Sequence, residues 1–258
     1  AGYVGTTGLE AMDYLLSDVH YTPVEEHHHY REKVINMPDA YVCYEPPTYA
    51  PDVGTLPYEE NGFVTFGSFN NPSKINADVM ALWGNVLGSV PGSRLVLKFK
   101  GIDADYNVDR LTSFLTARGL GATKLSLEGV SPHEDLLNRY NKIDIALDTF
   151  PYSGGLTTCE ALWMGVPVIT MPGETFASRH SLSHLSTFGL PELVAHDRDD
   201  YVKLAVGLAN NTGKLADLRA ELRGKMSSSP LCGGEKFAEG FAVIMRDIWR
   251  NWCISQDG

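Results

Sequence analysis

A chain of 258 residues with 43% hydrophobic content can bury a sizeable core, as one large domain or two small ones. Its formal net charge of −11 argues against general affinity for nucleic acid or an anionic membrane, since both need clustered Lys and Arg. No apolar run approaches the roughly 18–20 residues that cross a bilayer, and no signal-peptide pattern opens the chain, so a cytoplasmic protein without membrane contact is expected.

Taken in order, Gly2-Tyr3-Val4-Gly5-Thr6-Thr7-Gly8 is a glycine-rich loop of the kind that follows a strand, so Ala1 is not expected to be the natural beginning of the fold. Met12–Asp18 reads as a strand. Val24–Ile35 reads as a polar helix after the Thr22-Pro23 start signal. Tyr41–Tyr44 reads as a short β segment. Residues 1–45 therefore look like the tail of one α/β lobe. His27-His28-His29 does not make a metal site, because successive helical positions point about 100° apart. His180 and His184 have the i,i+4 spacing of a zinc pair but no acidic companion in a familiar pattern, which favours a core or helix-surface role. No metal is expected.

Residues 46–60 hold Pro46, Pro47, Pro51 and Pro57 with almost no periodicity, the composition of a semi-rigid linker. From Gly62 the pattern becomes regular. Apolar runs at Phe63–Phe69, Leu95–Phe99, Lys124–Leu127, Ile143–Leu147, Val166–Met171 and Leu193–Ala195 alternate with helical patterns. Those patterns are Val79–Val90, Leu111–Leu115, Leu136–Tyr140 and Tyr201–Leu208. Such alternation predicts an α/β fold, a doubly wound Rossmann-like parallel sheet over residues 61–234 with ligands at the carboxyl ends of its strands. In 235–258 the residues Phe237, Phe241, Ile244, Ile248 and Trp252 line one helix face, which calls for a partner surface, the other lobe being the natural one. Cys43, Cys159, Cys232 and Cys253 form no C-x-x-C pair, so free thiols acting mostly as small buried groups are expected.

The stretch from Asp148 to Pro167 organises the rest. A strand passes through a Pro/Ser/Gly turn into a short helix that starts near Thr157 and stops at Gly165. Unpaired N–H groups and the helix dipole at such a turn favour an anion, and glycine lets a phosphate approach the backbone. Glu160, one turn inside, can accept hydrogen bonds from two sugar hydroxyls. The same residues also fit a capping box, Thr157-x-x-Glu160, that closes a helix end without any ligand. Spacing alone leaves both readings open.

Four stretches carry a family resemblance: Gly67-Ser-Phe-Asn-Asn-Pro-Ser-Lys-Ile75; Asp144-Ile-Ala-Leu-Asp-Thr-Phe-Pro-Tyr152; Leu156-Thr-Thr-Cys-Glu-Ala-Leu-Trp163; and Thr170-Met-Pro-Gly-Glu-Thr-Phe-Ala-Ser-Arg179. Together they resemble the donor-binding half of the protein O-GlcNAc transferases of glycosyltransferase family 41, to which the SPINDLY proteins are related. The resemblance implies a GT-B architecture of two Rossmann-like lobes, with a second lobe and a tetratricopeptide array upstream. It implies inverting, metal-independent transfer of GlcNAc from UDP-GlcNAc to Ser/Thr hydroxyls of an acceptor protein, with UDP released and no cofactor. By the same resemblance Lys74 contacts the donor diphosphate and Asn71 hydrogen-bonds the same group. Ser131, Pro132 and His133 belong to the segment whose backbone reads the base, and Arg139 belongs to the nucleotide pocket. Gly155, Leu156, Thr157 and Thr158 cradle the phosphates, and Glu160 stands where relatives hold the ribose with aspartate. Two departures stand out: His133 replaces a lysine of animal members, and Gly155-Leu156-Thr157 replaces their His-Thr-Thr. Met171–Glu174 and Arg179 either shape the pocket or bind acceptor peptide, or else form a structural turn. The Met-Pro-Gly-Glu motif leans toward the GlcNAc branch, whereas Asp148–Tyr152 and Thr157–Glu160 are shared with relatives that use GDP-fucose. A GDP-fucose-using protein O-fucosyltransferase and a non-catalytic nucleotide-sugar sensor or scaffold are the alternatives.

Overall fold

Short apolar runs flanked by glycine or polar turns become the strands of a parallel sheet, and the longer periodic segments between them become its covering helices. The computed structural model describes residues 5–256, so Gly2, Tyr3 and Val4 of the opening loop lie outside the described residues. Strands β1 (Tyr14–Ser17) and β2 (Lys33–Asn36) pair in parallel. The main sheet follows: α1 (Pro57–Asn61), β3 (Thr65–Ser68), α2 (Ala77–Ser89), β4 (Arg94–Lys98), α3 (Asp105–Thr116) and β5 (Leu125–Glu128). It continues through α4 (His133–Arg139), β6 (Ile145–Leu147), α5 (Leu156–Trp163), β7 (Val168–Ile169) and α6 (His180–Phe188). Helices α7 (Arg198–Ala209), α8 (Thr212–Ser227) and α9 (Gly234–Gln256) close the chain.

The main sheet has the order β5-β4-β3-β6-β7 and every pair is parallel. The chain winds outward from β3 to β5, then returns through α4 to lay β6 on the other side of β3. A crevice opens at the carboxyl ends of β3 and β6, where the winding reverses. Helix α2 shows why the layers stick. Asn76 caps it by accepting the Val79 N–H at 2.9 Å, and Val79, Trp83, Val86 and Leu87 are wholly buried. Gly67 of β3 is glycine because the segment entering β6 lies directly on it: a Cβ there would sit 2.8 Å from Ile143 Cγ2.

Three sequence expectations are corrected. Val24–Ile35 is not one helix: Val24–His29 forms a 3₁₀ turn and Lys33–Asn36 is β2, because Val34 and Ile35 find a parallel partner in Leu15 and Leu16. Tyr41–Tyr44 is irregular, its Tyr44 N–H donating to Leu231 O at 2.7 Å instead of to a strand. Leu193–Ala195 contributes a single bridge, Thr170 to Val194, and no strand.

The proline-rich stretch does not hang free. Arg219 donates to Gly54 O at 3.1 Å and to Ile143 O at 2.8 Å, and Arg223 donates to Pro51 O at 2.7 Å. The buried carboxylate of Asp144 accepts the Tyr58 and Thr65 N–H groups at 2.9 and 2.7 Å. These bonds strap the stretch to the sheet domain. Helix α9, by contrast, has no buried residue among those described, and Trp249 and Trp252 stack in the open with centroids 5.1 Å apart. Of the cysteines Cys159 is buried, Cys43 exposed and the other two intermediate, so the core role expected for most of them holds for Cys159. Among the described residues no helix is long and apolar enough to cross a membrane, and no three His, Cys, Asp or Glu side chains are placed to hold a metal ion.

Candidate functional site

Strand β6 runs into Asp148, and this carboxylate shapes the turn that follows. Its Oδ1 accepts the N–H groups of Thr149 (2.9 Å) and Gly154 (2.7 Å), and its Oδ2 accepts the Thr170 hydroxyl (2.7 Å). Burial pushes the Asp148 carboxyl up, and the bonds from Ser181, Thr170, Gly154 and Thr149 pull against that rise. Gly154 needs its bare backbone, since a Cβ would meet Thr158 Oγ1 at 2.6 Å and Thr157 Oγ1 at 2.9 Å. The turn is thus wound around a buried anion and leaves no room for a side chain at its apex.

Helix α5 begins on this turn with Gly155 as its N-cap and no side-chain cap. The capping-box reading therefore fails. Thr157 reaches Asn70 Oδ1 at 3.3 Å, Thr158 meets the Ser181 hydroxyl at 2.8 Å, and Glu160 turns toward His133. The opening amides of α5 carry the partial positive charge of an uncapped helix end. They face the crevice lined by Ser68, Asn70, Asp148, Thr157 and Thr158. Leu156 is exposed at the lip.

Lys74 reaches this turn from the opposite strand. It ends a 3₁₀ turn, Pro72–Lys74, capped by Asn71, whose Oδ1 accepts the Ser73 N–H at 3.0 Å. Lys74 Nζ donates to Ser153 O at 2.8 Å and sits 4.0 Å above the Tyr152 ring. Burial pulls its pKa down and the Asp148 charge opposes that pull. An ammonium held in place by one carbonyl and one ring face keeps hydrogen-bonding capacity for an incoming anion.

One turn further along α5, Glu160 is buried, and its Oε1 lies 2.8 Å from His133 Nε2. The Tyr49 hydroxyl lies 2.9 Å from His133 Nδ1. Burial raises the Glu160 pKa and His133 opposes it. Ser131 and Pro132 lead into α4 from the same side, with Pro132 as its N-cap. Arg139, at the far end of α4, is not brought into this cluster. It forms a forked pair with Glu128, at 2.6–3.0 Å, over the β4–β5 part of the sheet.

The structure therefore sets Thr157 and Thr158 in the crevice, Gly155 at the head of α5 and Lys74 against the turn before it, pairs Glu160 with His133 one turn further along α5, places Ser131 and Pro132 just ahead of α4, and spends Asn71 on a cap. Sequence reasoning missed Asp148, Ser153, Asn70 and Tyr49. The first three lie inside or beside the quoted motifs; Tyr49 carries no local signal.

Arg179 serves the scaffold. Its two Nη atoms donate to Glu26 at 2.7 Å each, one of them also to Tyr21 O at 3.1 Å, and Nε donates to Gly173 O at 3.0 Å. The segment before β2 is thereby tied to the loop after β7. His180 and His184 lie buried on α6; His180 Nδ1 is 2.7 Å from the Tyr21 hydroxyl, and its pKa falls to about 4, through burial first and then the Lys74 ammonium.

The sequence model of glycosyl transferase family 41 matches residues 55–241. A Petunia hybrida protein described as a probable UDP-N-acetylglucosamine–peptide N-acetylglucosaminyltransferase, SPINDLY, is 41% identical over 98% of this chain and 27% of its own length. The chain thus spans about a quarter of that relative. Among solved structures, a mutant of Thermobaculum terrenum O-GlcNAc transferase superposes with a TM-score of 0.91 at 37% identity, over 98% of this chain and 48% of its own. Sucrose-phosphate synthase of Thermosynechococcus elongatus shares the GT-B fold, with a TM-score of 0.63 at 15% identity over 92% of this chain and 59% of its own.

Proposed function

This chain belongs to glycosyl transferase family 41, and we propose that it carries the donor-binding half of an inverting, metal-independent enzyme that moves GlcNAc from UDP-GlcNAc to Ser/Thr hydroxyls of proteins. The observation that carries this reading is the meeting of Lys74 with the Asp148–Gly155 turn: Nζ lies 2.8 Å from Ser153 O, beside the uncapped start of α5. A diphosphate laid there has the first amides of α5 on one side and an ammonium on the other.

As the sugar's C1–O bond breaks, negative charge grows on the leaving UDP. Lys74 and the α5 amides stabilise that charge, the work a metal ion does in other transferases. The acceptor hydroxyl displaces UDP in line from the opposite face of the sugar, which inverts the anomeric centre. The Ser131–Pro132 segment offers backbone groups to the edge of the base, and Glu160 accepts from the ribose hydroxyls. The printed functions of the Petunia and Thermobaculum relatives support the GlcNAc assignment. The upstream lobe would complete the acceptor side and cover the exposed aromatic face of α9. A cytoplasmic setting fits free thiols and an acidic surface.

GDP-fucose is the second reading, kept open because the motifs Asp148–Tyr152 and Thr157–Glu160 resemble those of relatives that use GDP-fucose as well. Calorimetry with UDP and GDP decides between the two: UDP binding at least tenfold tighter is expected, and the reverse preference would overturn the donor assignment. Lys74→Met is expected to cut transfer of labelled sugar to a peptide by about 10²-fold or more without lowering the unfolding midpoint. Full transfer by this variant would reject the role given to Lys74, and tight binding with no transfer by the complete enzyme would identify a sensor.

A further inference from the structure

The structure places the side chains of Glu160 and His133 against each other. Glu160 is 4% exposed and His133 is its one side-chain hydrogen-bond partner among the described residues. Behind His133 stands Tyr49, 84 residues earlier in the chain, in the proline-rich stretch strapped to the sheet domain. We propose that Tyr49 and His133 are positioning residues of the nucleotide site: Tyr49 fixes the histidine, and the histidine holds Glu160 ionised and oriented to receive the ribose diol.

The chemistry follows from hydrogen-bond direction. A carboxylate only accepts, so the 2.8 Å contact requires a proton on His133 Nε2. In a neutral imidazole Nδ1 is then an acceptor, and the Tyr49 hydroxyl at 2.9 Å donates to it. Tyr49 thereby selects the tautomer that faces Glu160, in the way that an outer partner fixes a metal-bound histidine. Without the Nε2–H, burial drives Glu160 toward its neutral form, a poorer acceptor for two hydroxyls. The ring edges support the same geometry, with Tyr49 and His133 centroids 5.8 Å apart at an 82° interplanar angle. Since the Tyr49 stretch is bonded to Asn141, Arg219 and Arg223, the hydroxyl stands on a fixed support.

This inference rests on the assignment of Glu160 to the ribose, and its test separates the two. The readout is the ratio of affinities for UDP and 2′-deoxy-UDP by calorimetry, with GDP and 2′-deoxy-GDP in parallel so that the base does not decide the outcome. A merely structural role would not move this ratio. In the unaltered protein the ribose form is expected to bind about tenfold tighter or more, the effect of a hydrogen bond to a charged group. Glu160→Gln is expected to bring the ratio close to one; if the ratio survives, the ribose assignment falls and this inference falls with it. His133→Ala is expected to reduce the ratio to below about twofold, and Tyr49→Phe to reduce it about threefold. His133→Gln restores it, because a side-chain amide donates without needing a tautomer, and in that background Tyr49→Phe has no further effect. If Glu160→Gln abolishes the preference while His133→Ala and Tyr49→Phe leave it intact, or if those two variants tighten UDP, the inference is overturned and the ribose assignment stands. The second pattern would mean that His133 competes with the nucleotide for Glu160.

Discussion

The two ends of the proposed nucleotide site are built differently. At the phosphate end the backbone of residues 149–154 is wound around the wholly enclosed Asp148, and Ser153, Thr158 and Ser181 are bonded to one another or to the turn. At the ribose end one buried carboxylate, Glu160, depends on His133, whose side chain is 39% exposed, and on the exposed Tyr49. Buried polar networks couple binding to folding, because removing one member strands the others. Exposed partners can be lost at little cost to the fold. Substitutions in the buried network around Asp148 should therefore lower stability and binding together, and those of His133 or Tyr49 should lower binding at a smaller cost to the fold.

Asp148→Ala tests the first half of that contrast and should have the largest effect. It strands the N–H groups of Thr149 and Gly154 and the hydroxyl of Thr170 in a buried place. A loss of about 3–5 kcal/mol in urea unfolding is expected, together with loss of UDP binding. His133→Ala strands one buried group, the Glu160 carboxyl, and should cost less, about 1–2 kcal/mol. Equal stability losses in the two variants would erase the distinction.

Protonation offers a second route to the phosphate end. The His180 N–H donates to Ser153 Oγ at 2.9 Å while its ring lies buried with a pKa of about 4. An unfolded histidine titrates near 6.5, so between pH 6.5 and 4 the unfolded chain binds the proton and the folded chain does not. The stability from this group is complete above pH 6.5 and is lost as pH falls toward 4, by about 3 kcal/mol. Urea unfolding at pH 7 and pH 4.5 should show a smaller drop for His180→Gln than for the unaltered protein. An identical drop in both would remove His180 from the account.

Gly154→Ala is a milder intrusion on the same turn. The added methyl must displace the Thr158 and Thr157 hydroxyls, which lie 2.6 and 2.9 Å from its position. A cost of about 1–3 kcal/mol and weaker UDP binding are expected. Unchanged binding would mean that the turn can shift without harming the anion site.

The same contrast explains what the sequence could reveal. Buried parallel strands read as continuous apolar runs, so Phe63–Phe69 and Leu95–Phe99 announced β3 and β4 without help from distant residues. The turn after β6, its glycines and Glu160 were legible together, since they fall within one stretch of chain. Val24–Ile35 misled because Glu25-Glu26-His27-His28-His29 has helical composition, while the pairing of Val34 with Leu15 is a tertiary fact. Helix α8 escaped notice because its buried Leu215, Leu218 and Leu222 are interrupted by charged residues, one of which, Arg219, is itself buried as a strap on the proline-rich stretch. Tyr49 was unreadable for the same kind of reason. Its partner is far away in sequence, and a tyrosine among prolines has no periodicity to betray it.

Arg139 sharpens the boundary of the ribose end and should show the smallest effect. It sits only six positions from His133 on the same helix, and family resemblance places it in the nucleotide pocket. Its guanidinium nevertheless forks onto Glu128, whose carboxyl it holds below the usual range against the opposing pull of burial. Side chains about a quarter exposed at each partner bring the pair close to the surface case, worth about 1 kcal/mol or less. Arg139→Ala should therefore cost about that much stability and leave UDP affinity within twofold, because the helix can offer its backbone to a base without this side chain. A tenfold loss of affinity at unchanged stability would show instead that Arg139 leaves Glu128 for the nucleotide, and the ribose end would then extend along the whole of α4.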